Sequence, residues 1–297
     1  MRMLALVLFF VIAACDEPMA MARVSSIESD PNPIDEKFPP SVVELGIDSD
    51  GDRMNGHIYL ADGPGPHPTV VLLHGFPGNE KNLDLAQAFR RAGWNVLFFH
   101  YRGAWGSEGV FKFRSAIDDV ASVLTFLRDP ANDNLRGDPS RIALVGHSMG
   151  GFMALHGGAR DEGVRCIVTM AAANFGERAQ IASADPAALE GFKQYSDQLV
   201  MLNGFDGASA IDELASEGER FDNRSLAPKL AGKKVFLIGA ERDQAVDITV
   251  HERHMKAFLD SKAPIITELR LDADHSFSWH RVRLAHEVTA WLDRECR

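Results

Sequence analysis

The stretch Gly146-His147-Ser148-Met149-Gly150 decides how this chain is read. It has the form G-x-S-x-G, and a third glycine, Gly151, follows it. The short apolar segment Arg141-Ile142-Ala143-Leu144-Val145 precedes it, and the helix-compatible segment Phe152-Met153-Ala154-Leu155-His156 comes after. That context predicts a strand, a sharp turn and a helix, with Ser148 on the turn. The reason for the glycines is steric. A tight turn puts the serine in strained backbone geometry, and side chains two positions away would meet the adjacent strand and helix. Such a turn holds the Ser148 hydroxyl out at the end of a sheet. The N–H of Met149, at the helix start, points into the same space.

Outward from this turn the chain alternates. Apolar runs suited to strands occupy Thr69 to Leu73, Asn95 to Phe99, Arg141 to Val145, Val164 to Ala171, Val235 to Gly239 and Ile265 to Leu271. Between and after them, amphipathic stretches suited to helices run from Leu83 to Ala92, Ala116 to Leu127, Gly151 to Gly157, Thr249 to Leu259 and Val282 to Arg294. Strands alternating with helices imply right-handed βαβ units and a parallel sheet covered on both faces, an α/β fold. Two further strands, Val42 to Ile47 and His57 to Leu60, come first, separated by the turn Asp48-Ser49-Asp50-Gly51-Asp52. Its acidic spacing is like the opening of a calcium loop, but no Glu stands at the twelfth position, so the stretch is read as a turn. The alternation pauses over residues 174–230. Helical stretches at Pro186 to Met201 and Ala208 to Phe221 fill this segment without a clear strand, which reads as a helical lid insertion over the site. An ordinary connecting helix pair is the alternative. Phe192, Tyr195, Met201, Leu202, Phe205 and Phe221 line a pocket there or hold the lid together; packing is the default reading for each.

Length and charge bound the answer. The chain of 297 residues suffices for one large core, and its net charge of -11 is spread along it. No basic stripe follows a phosphate backbone, so nucleic acid is excluded as the expected partner. The N-terminus stands apart. Met1-Arg2-Met3 supplies a positive charge, and Leu4 to Ala14 is an apolar run of 11 residues, too short to span a bilayer but suited to a signal-peptide core. Residues 1–14 are therefore read as a signal peptide. Ile12-Ala13-Ala14-Cys15 has the look of a lipobox, with Cys15 the lipidation site, and Ala20-Met21-Ala22 is a competing ordinary cleavage site; an uncleaved anchor is the third possibility. Asp16 after Cys15, by resemblance to bacterial lipoprotein sorting, implies retention at the inner membrane. A diacylated cysteine suffices as a membrane tether. Each cleaved form would be exported. Residues 15–40, with Pro31, Pro33, Pro39 and Pro40, read as a tether, and residues 41–297 as the catalytic body. Cys166, in a strand-like run, is read as a packed thiol, and Cys296 as a mobile terminal residue; nothing in the sequence argues for a bridge between them.

A serine hydroxyl needs a base, and the base needs a third group to set its tautomer and stabilise its charged form. In sheets of this kind the partners follow later strands in the order Ser, acid, His. Behind Val235 to Gly239 come Glu241 and Asp243; Asp243 is chosen for its place in the loop, with Glu241 the second choice. Behind the last strand comes His275, which among 11 histidines combines the right order with the right strand end; His280 is its alternate. His251 and His254 stand three apart on a helix and are read as a solvated face. The loop His74-Gly75-Phe76-Pro77-Gly78 offers Phe76 N–H as a second oxyanion donor beside Met149 N–H, with His74 ordering the loop.

Together these motifs resemble the α/β-hydrolase superfamily over roughly residues 41–297 outside the lid. The stretch His100-Tyr101-Arg102-Gly103-Ala104-Trp105-Gly106-Ser107 is similar to that family's D-x-R-G-x-G-x-S segment, with His100 where Asp is usual. The elbow and the His-Gly-Phe-Pro-Gly loop are most similar to the dienelactone-hydrolase and prolyl-oligopeptidase-like branches and to monoacylglycerol-lipase-like esterases. Relatives of this fold that use Asp as nucleophile are disfavoured by Ser148. The resemblance implies a mostly parallel eight-stranded sheet and a serine hydrolase of small carboxylic esters, with no cofactor and no metal. A peptidase or amidase with the same triad is the second reading. A non-catalytic binding protein of the same fold is the third.

Overall fold

The computed structural model describes residues 27–297. The signal-peptide reading, Cys15 and both cleavage sites lie outside the described residues. Eight strands form one sheet in the order β1-β2-β4-β3-β5-β6-β7-β8. They are β1 Ser41–Ser49, β2 Asp52–Leu60, β3 His67–Leu73, β4 Asn95–Phe99, β5 Gly137–His147, β6 Cys166–Met170, β7 Lys234–Ala240 and β8 Ile265–Leu271. The pairs β1–β2 and β2–β4 are antiparallel, and all the others are parallel. The expected turn over 48–52 is tighter than the sequence suggests. Ser49 pairs with Asp52, leaving Asp50 and Gly51 as a two-residue hairpin with φ of 56° and 87°, the positive pair that matches strand twist.

The apolar runs of the central strands serve two cores because successive side chains point to opposite faces. Val71, Leu73, Leu97, Phe99, Leu144 and Ile167 enter one cluster. Their immediate neighbours Val70, Leu72, Val96, Phe98, Val145 and Val168 enter the other. Helices α2 (Phe113–Arg128), α3 (Met149–Arg160) and α7 (Ile248–Ser261) cover the first face through residues such as Ile117, Phe152 and Phe258. Helices α1 (Leu83–Arg91) and α8 (Arg281–Glu295) cover the second through Leu85, Phe89, Leu284 and Trp291. Fully burying one such side chain contributes about 1.5–3 kcal/mol.

Residues 174–230 form α4 (Phe175–Ala184), α5 (Pro186–Ser196), α6 (Gly207–Glu217) and a 3-10 stretch at Asn223–Leu230. Polar side chains start each helix. Asn174 accepts from the N–H groups of Gly176 and Glu177, Asp185 from Ala187 and Ala188, and Asp206 closes a capping box with Ser209. The α6 side is pinned to the body: Glu213 accepts from the N–H groups of Phe113 and Arg114, at the start of α2, at 3.0 and 2.7 Å. Of the segment's aromatic and aliphatic residues, Phe192, Leu202, Phe205 and Phe221 are buried in the first core, and Phe192 together with Tyr195 also lines a cavity described below.

Three sequence expectations are corrected here. Cys166 and Cys296 form a disulfide with a Cα–Cα distance of 6.1 Å, so neither is a free thiol and the chain end is fastened to the start of β6. His251 and His254 are buried, not solvated: His251 meets Glu268 at 3.0 Å and His254 meets the Asn223 amide at 3.2 Å. The described part of the tether, residues 27–40, lies against the body. Ile27 is buried, its carbonyl accepts from Arg91, and Glu28 pairs with His286.

Candidate active site

Ser148 sits between β5 and α3 with φ 57° and ψ −118°. A non-glycine residue held there costs of order 1–3 kcal/mol, and surrounding bonds must hold it. They do: Ser148 N–H donates to Met170 O at 2.9 Å, and the Ser148 carbonyl accepts from Gly151 and Ala173, each at 3.0 Å. The flanking glycines carry the steric load expected of them. A Cβ at Gly146 would fall on the carbonyl of Gly150, and one at Gly150 would fall on the carbonyl of Leu73 in β3. Gly146 thus lets the helix close on the strand, and Gly150 lets the helix start against the sheet. Met149 is the first residue of α3, so its N–H has no acceptor within the helix.

Asp243 lies on the loop after β7, and His275 on the loop after β8. His275 Nδ1 and Asp243 Oδ2 are 2.6 Å apart. The other carboxylate oxygen, Oδ1, accepts from the N–H groups of Ala245 and Val246, both at 2.8 Å. These bonds lock the carboxylate and leave one oxygen for the imidazole. The Asp243 side chain is 1% exposed, against 24% for His275. A buried carboxylate aimed at a part-exposed imidazole fixes the tautomer, with Nδ1 as the donor and Nε2 turned elsewhere. Glu241, the second choice from sequence, is exposed, and His280, half-buried, is the residue just before α8.

Phe76 follows β3 in the loop that faces Ser148. A Cβ on Gly75 would stand 3.1 Å from Ser148 Cβ, so this loop crosses directly over the serine. The Phe76 ring packs 5.3 Å from Phe113 and 5.6 Å from Phe205, which anchors the loop in the aromatic cluster beneath the 174–230 segment. His74 orders the loop as expected, with Nδ1 donating to Gly75 O at 2.8 Å. Its Nε2 accepts from His100 Nδ1 at 3.3 Å. His100 stands where the resembling family has Asp, and here a neutral His–His pair joins the two loops. Burial pushes His74 down to about 4. Burial, with His74 beside it, pushes His100 down to about 3. Arg102 of the same segment is held by the buried Asp119, with Nε donating to Oδ1 at 2.6 Å.

Sequence reasoning assigned no role to His147. Its Nε2 donates to the carbonyl of His275 at 2.7 Å. Burial first, and the nearby His275 second, push His147 down to about 3, so it is neutral at ordinary pH. No periodicity signals this bond, because it joins the end of β5 to a loop 128 residues further on.

Ser148, His275, Phe76 and His147 share a cavity of about 480 Å³. Phe175, Arg178, Phe192 and Tyr195 from the 174–230 segment close one side, and Glu80, Gln244 and Val246 belong to other walls. Among the described residues no group of three His, Cys, Asp or Glu side chains is placed to hold a metal.

Serine on a strained elbow, an imidazole oriented by a buried carboxylate and a parallel sheet in this strand order define a hydrolase fold. The alpha/beta hydrolase family model matches residues 70–287, and the chain belongs to that family. Over 111 residues the chain is 34% identical to an uncharacterized 31.7 kDa protein from the traX-finO intergenic region of Escherichia coli, covering 36% of this chain and 37% of that protein. Over 137 residues it is 24% identical to the quorum-quenching protein AidA of Acinetobacter baumannii, covering 44% of each. The chain thus spans less than half the length of these curated relatives. Among solved structures, an esterase of Pyrococcus furiosus superposes with a TM-score of 0.64 at 20% identity, covering 91% of this chain and 98% of its own. The acylaminoacyl peptidase of Pyrococcus horikoshii superposes at 0.65 and 15% identity, covering 86% of this chain and 42% of its own. At these identities the likeness is one of fold.

Proposed function

We propose that this protein is a serine hydrolase of carboxylic esters, with Ser148 as nucleophile, His275 as general base and acid, and Asp243 as the group that orients His275. The observation that carries the reading is the 2.6 Å contact between His275 Nδ1 and the locked Asp243 carboxylate, beside the cavity that Ser148 and His275 both line. His275 takes the hydroxyl proton as Ser148 Oγ attacks the ester carbonyl, then passes it to the departing alcohol. An acyl-enzyme results. Water, activated by the same imidazole, releases the acid. The N–H groups of Phe76 and Met149 receive the oxyanion; losing one such donor costs about 3–4 kcal/mol. No step calls for a metal or cofactor.

The test is hydrolysis of p-nitrophenyl acetate and butyrate by the wild type and by Ser148→Ala. Turnover that survives in Ser148→Ala refutes the assignment. A peptidase reading draws on the peptidase superposition and on a 36% identical stretch of 97 residues in acylamino-acid-releasing enzyme 1 of Oryza sativa subsp. japonica, 12% of that protein. Cleavage of aminoacyl-nitroanilides without cleavage of short esters would favour it.

We also propose export of the protein, with residues 1–14 as signal peptide and Cys15 as a lipid anchor, and with helices 174–230 acting as a lid. The Cys166–Cys296 disulfide supports export, because such bonds persist in oxidising compartments. Labelling with radioactive palmitate, compared between the wild type and Cys15→Ala, tests the anchor.

A further inference from the structure

The cavity beside Ser148 contains a guanidinium that the proposed chemistry does not use. Arg178 lies one turn into α4, half-buried, and its side chain lines the same cavity as Ser148 and His275. It also lines a second, smaller cavity of about 270 Å³ that shares Phe192, Gln244, Ala245 and Val246 with the first. Its neighbour Glu177 shows how this helix treats other charges: that carboxylate is neutralised by Arg253 at 2.6 Å and Arg224 at 3.3 Å. Arg178 has no such partner. Among the described residues no carboxylate lies within ion-pair distance of it, and its contact is the face of Phe192, 5.0 Å from the ring centre. Burial lowers its pKa, with only the Tyr195 hydroxyl opposing.

A guanidinium withdrawn from water is costly unless an anion or an aromatic face compensates it. A single ring covers one face and leaves the five donors of the planar fork without a protein acceptor among the described residues. Those donors match a carboxylate in a bidentate arrangement. The other charged residue of the cavity, Glu80, is engaged on its own loop, where Oε1 accepts from the Asn82 N–H at 2.6 Å. Its negative charge disfavours a second anion close to it.

We infer that Arg178 is the specificity-determining cation of this pocket, and that the preferred substrates are esters whose acyl or alcohol portion carries a free carboxylate. This rests on the serine-hydrolase reading above. It goes beyond that reading by assigning the charge of the substrate.

The experiment compares two matched pairs: p-nitrophenyl hemiglutarate against p-nitrophenyl hexanoate, and 5-acetoxypentanoate against hexyl acetate. The wild type is expected to favour the charged member of at least one pair by tenfold or more in kcat/KM. Arg178→Met should reduce that charged-to-neutral ratio at least tenfold, chiefly through KM, and Arg178→Lys should restore part of it. A ratio at or below one in both pairs overturns the inference, as does a ratio that Arg178→Met leaves unchanged. Calorimetry of 5-acetoxypentanoate and hemiglutarate on Ser148→Ala protein, with and without Arg178→Met, reads the same contact without turnover. Binding that depends on Arg178 alongside no esterase activity would refute the hydrolase reading and keep the anion site. Esterase activity lost in Ser148→Ala, with no dependence on Arg178 in either measurement, would do the reverse. Thermal unfolding of each variant shows that it is folded.

Discussion

His147 donates its Nε2–H to the main-chain carbonyl of His275 at 2.7 Å. The residue before Ser148 therefore holds the loop that carries His275, and this bond ties the elbow to that loop. Because burial holds His147 neutral, this donor keeps its form at ordinary pH. His147→Phe retains a ring of similar size but leaves the His275 carbonyl without its partner, a cost of about 1–3 kcal/mol. We expect kcat/KM for p-nitrophenyl butyrate to fall about tenfold, while a fluorophosphonate probe still labels Ser148. Unchanged kinetics would show that β8 alone positions the loop.

Asp243→Asn separates charge from shape. The Asn amide oxygen can take over the bonds from Ala245 and Val246, which turns its NH2 towards His275 Nδ1. Two donors then face each other unless the imidazole switches tautomer, and Nε2 can no longer accept the serine proton. A loss of about 10⁴-fold in kcat is expected. Glu241→Gln, on the exposed side of the same loop, should retain the wild-type rate. The reverse result would move the acid to Glu241.

The disulfide between Cys166 and Cys296 closes a loop across 130 residues and ties the end of α8 to the first residue of β6. Such a cross-link typically contributes about 2–4 kcal/mol. Cys166→Ala with Cys296→Ala should lower the thermal midpoint by about 5–10 °C. A reducing agent should lower the wild-type midpoint to a similar degree and leave the double variant unmoved. A midpoint insensitive to reduction would show that the bond holds nothing the helix packing does not.

Buried histidines shape the response to acid. Burial is the leading cause in each, and it holds His74 at about 4 and His147, His156 and His254 at about 3. The unfolded chain, with ordinary imidazoles near 6.5, binds protons that the native state refuses. Their contribution to stability is therefore complete above about pH 6.5 and is lost as the pH falls towards the folded values, by up to about 1.4 kcal/mol per pH unit for each group. The urea midpoint should be clearly lower at about pH 5 than at about pH 7.5. An equal or higher midpoint at the lower pH would mean that these imidazoles are charged in the native state.

The sequence by itself determined the layers, the strand-to-helix elbow and the loops on which Asp243 and His275 stand. Those properties are local: apolar runs of strand length, glycines two positions from Ser148, and loops that directly follow β7 and β8. Each is written within about ten residues, because backbone sterics and side-chain periodicity act at that range. The tertiary structure decided what depends on residues distant in sequence. It buried Asp243 against His275 and left Glu241 exposed. It joined Cys166 to Cys296, set His100 against His74, buried His251 and His254 on a helix face that reads as polar, and packed residues 27–40 on the body. It also left Arg178 with no carboxylate at ion-pair distance among the described residues while pairing Glu177 next to it. Burial and partner choice depend on which surfaces meet after the sheet closes, and no spacing along the chain records that. The composition of the elbow states that a serine is presented; the walls that assemble around it determine what it meets.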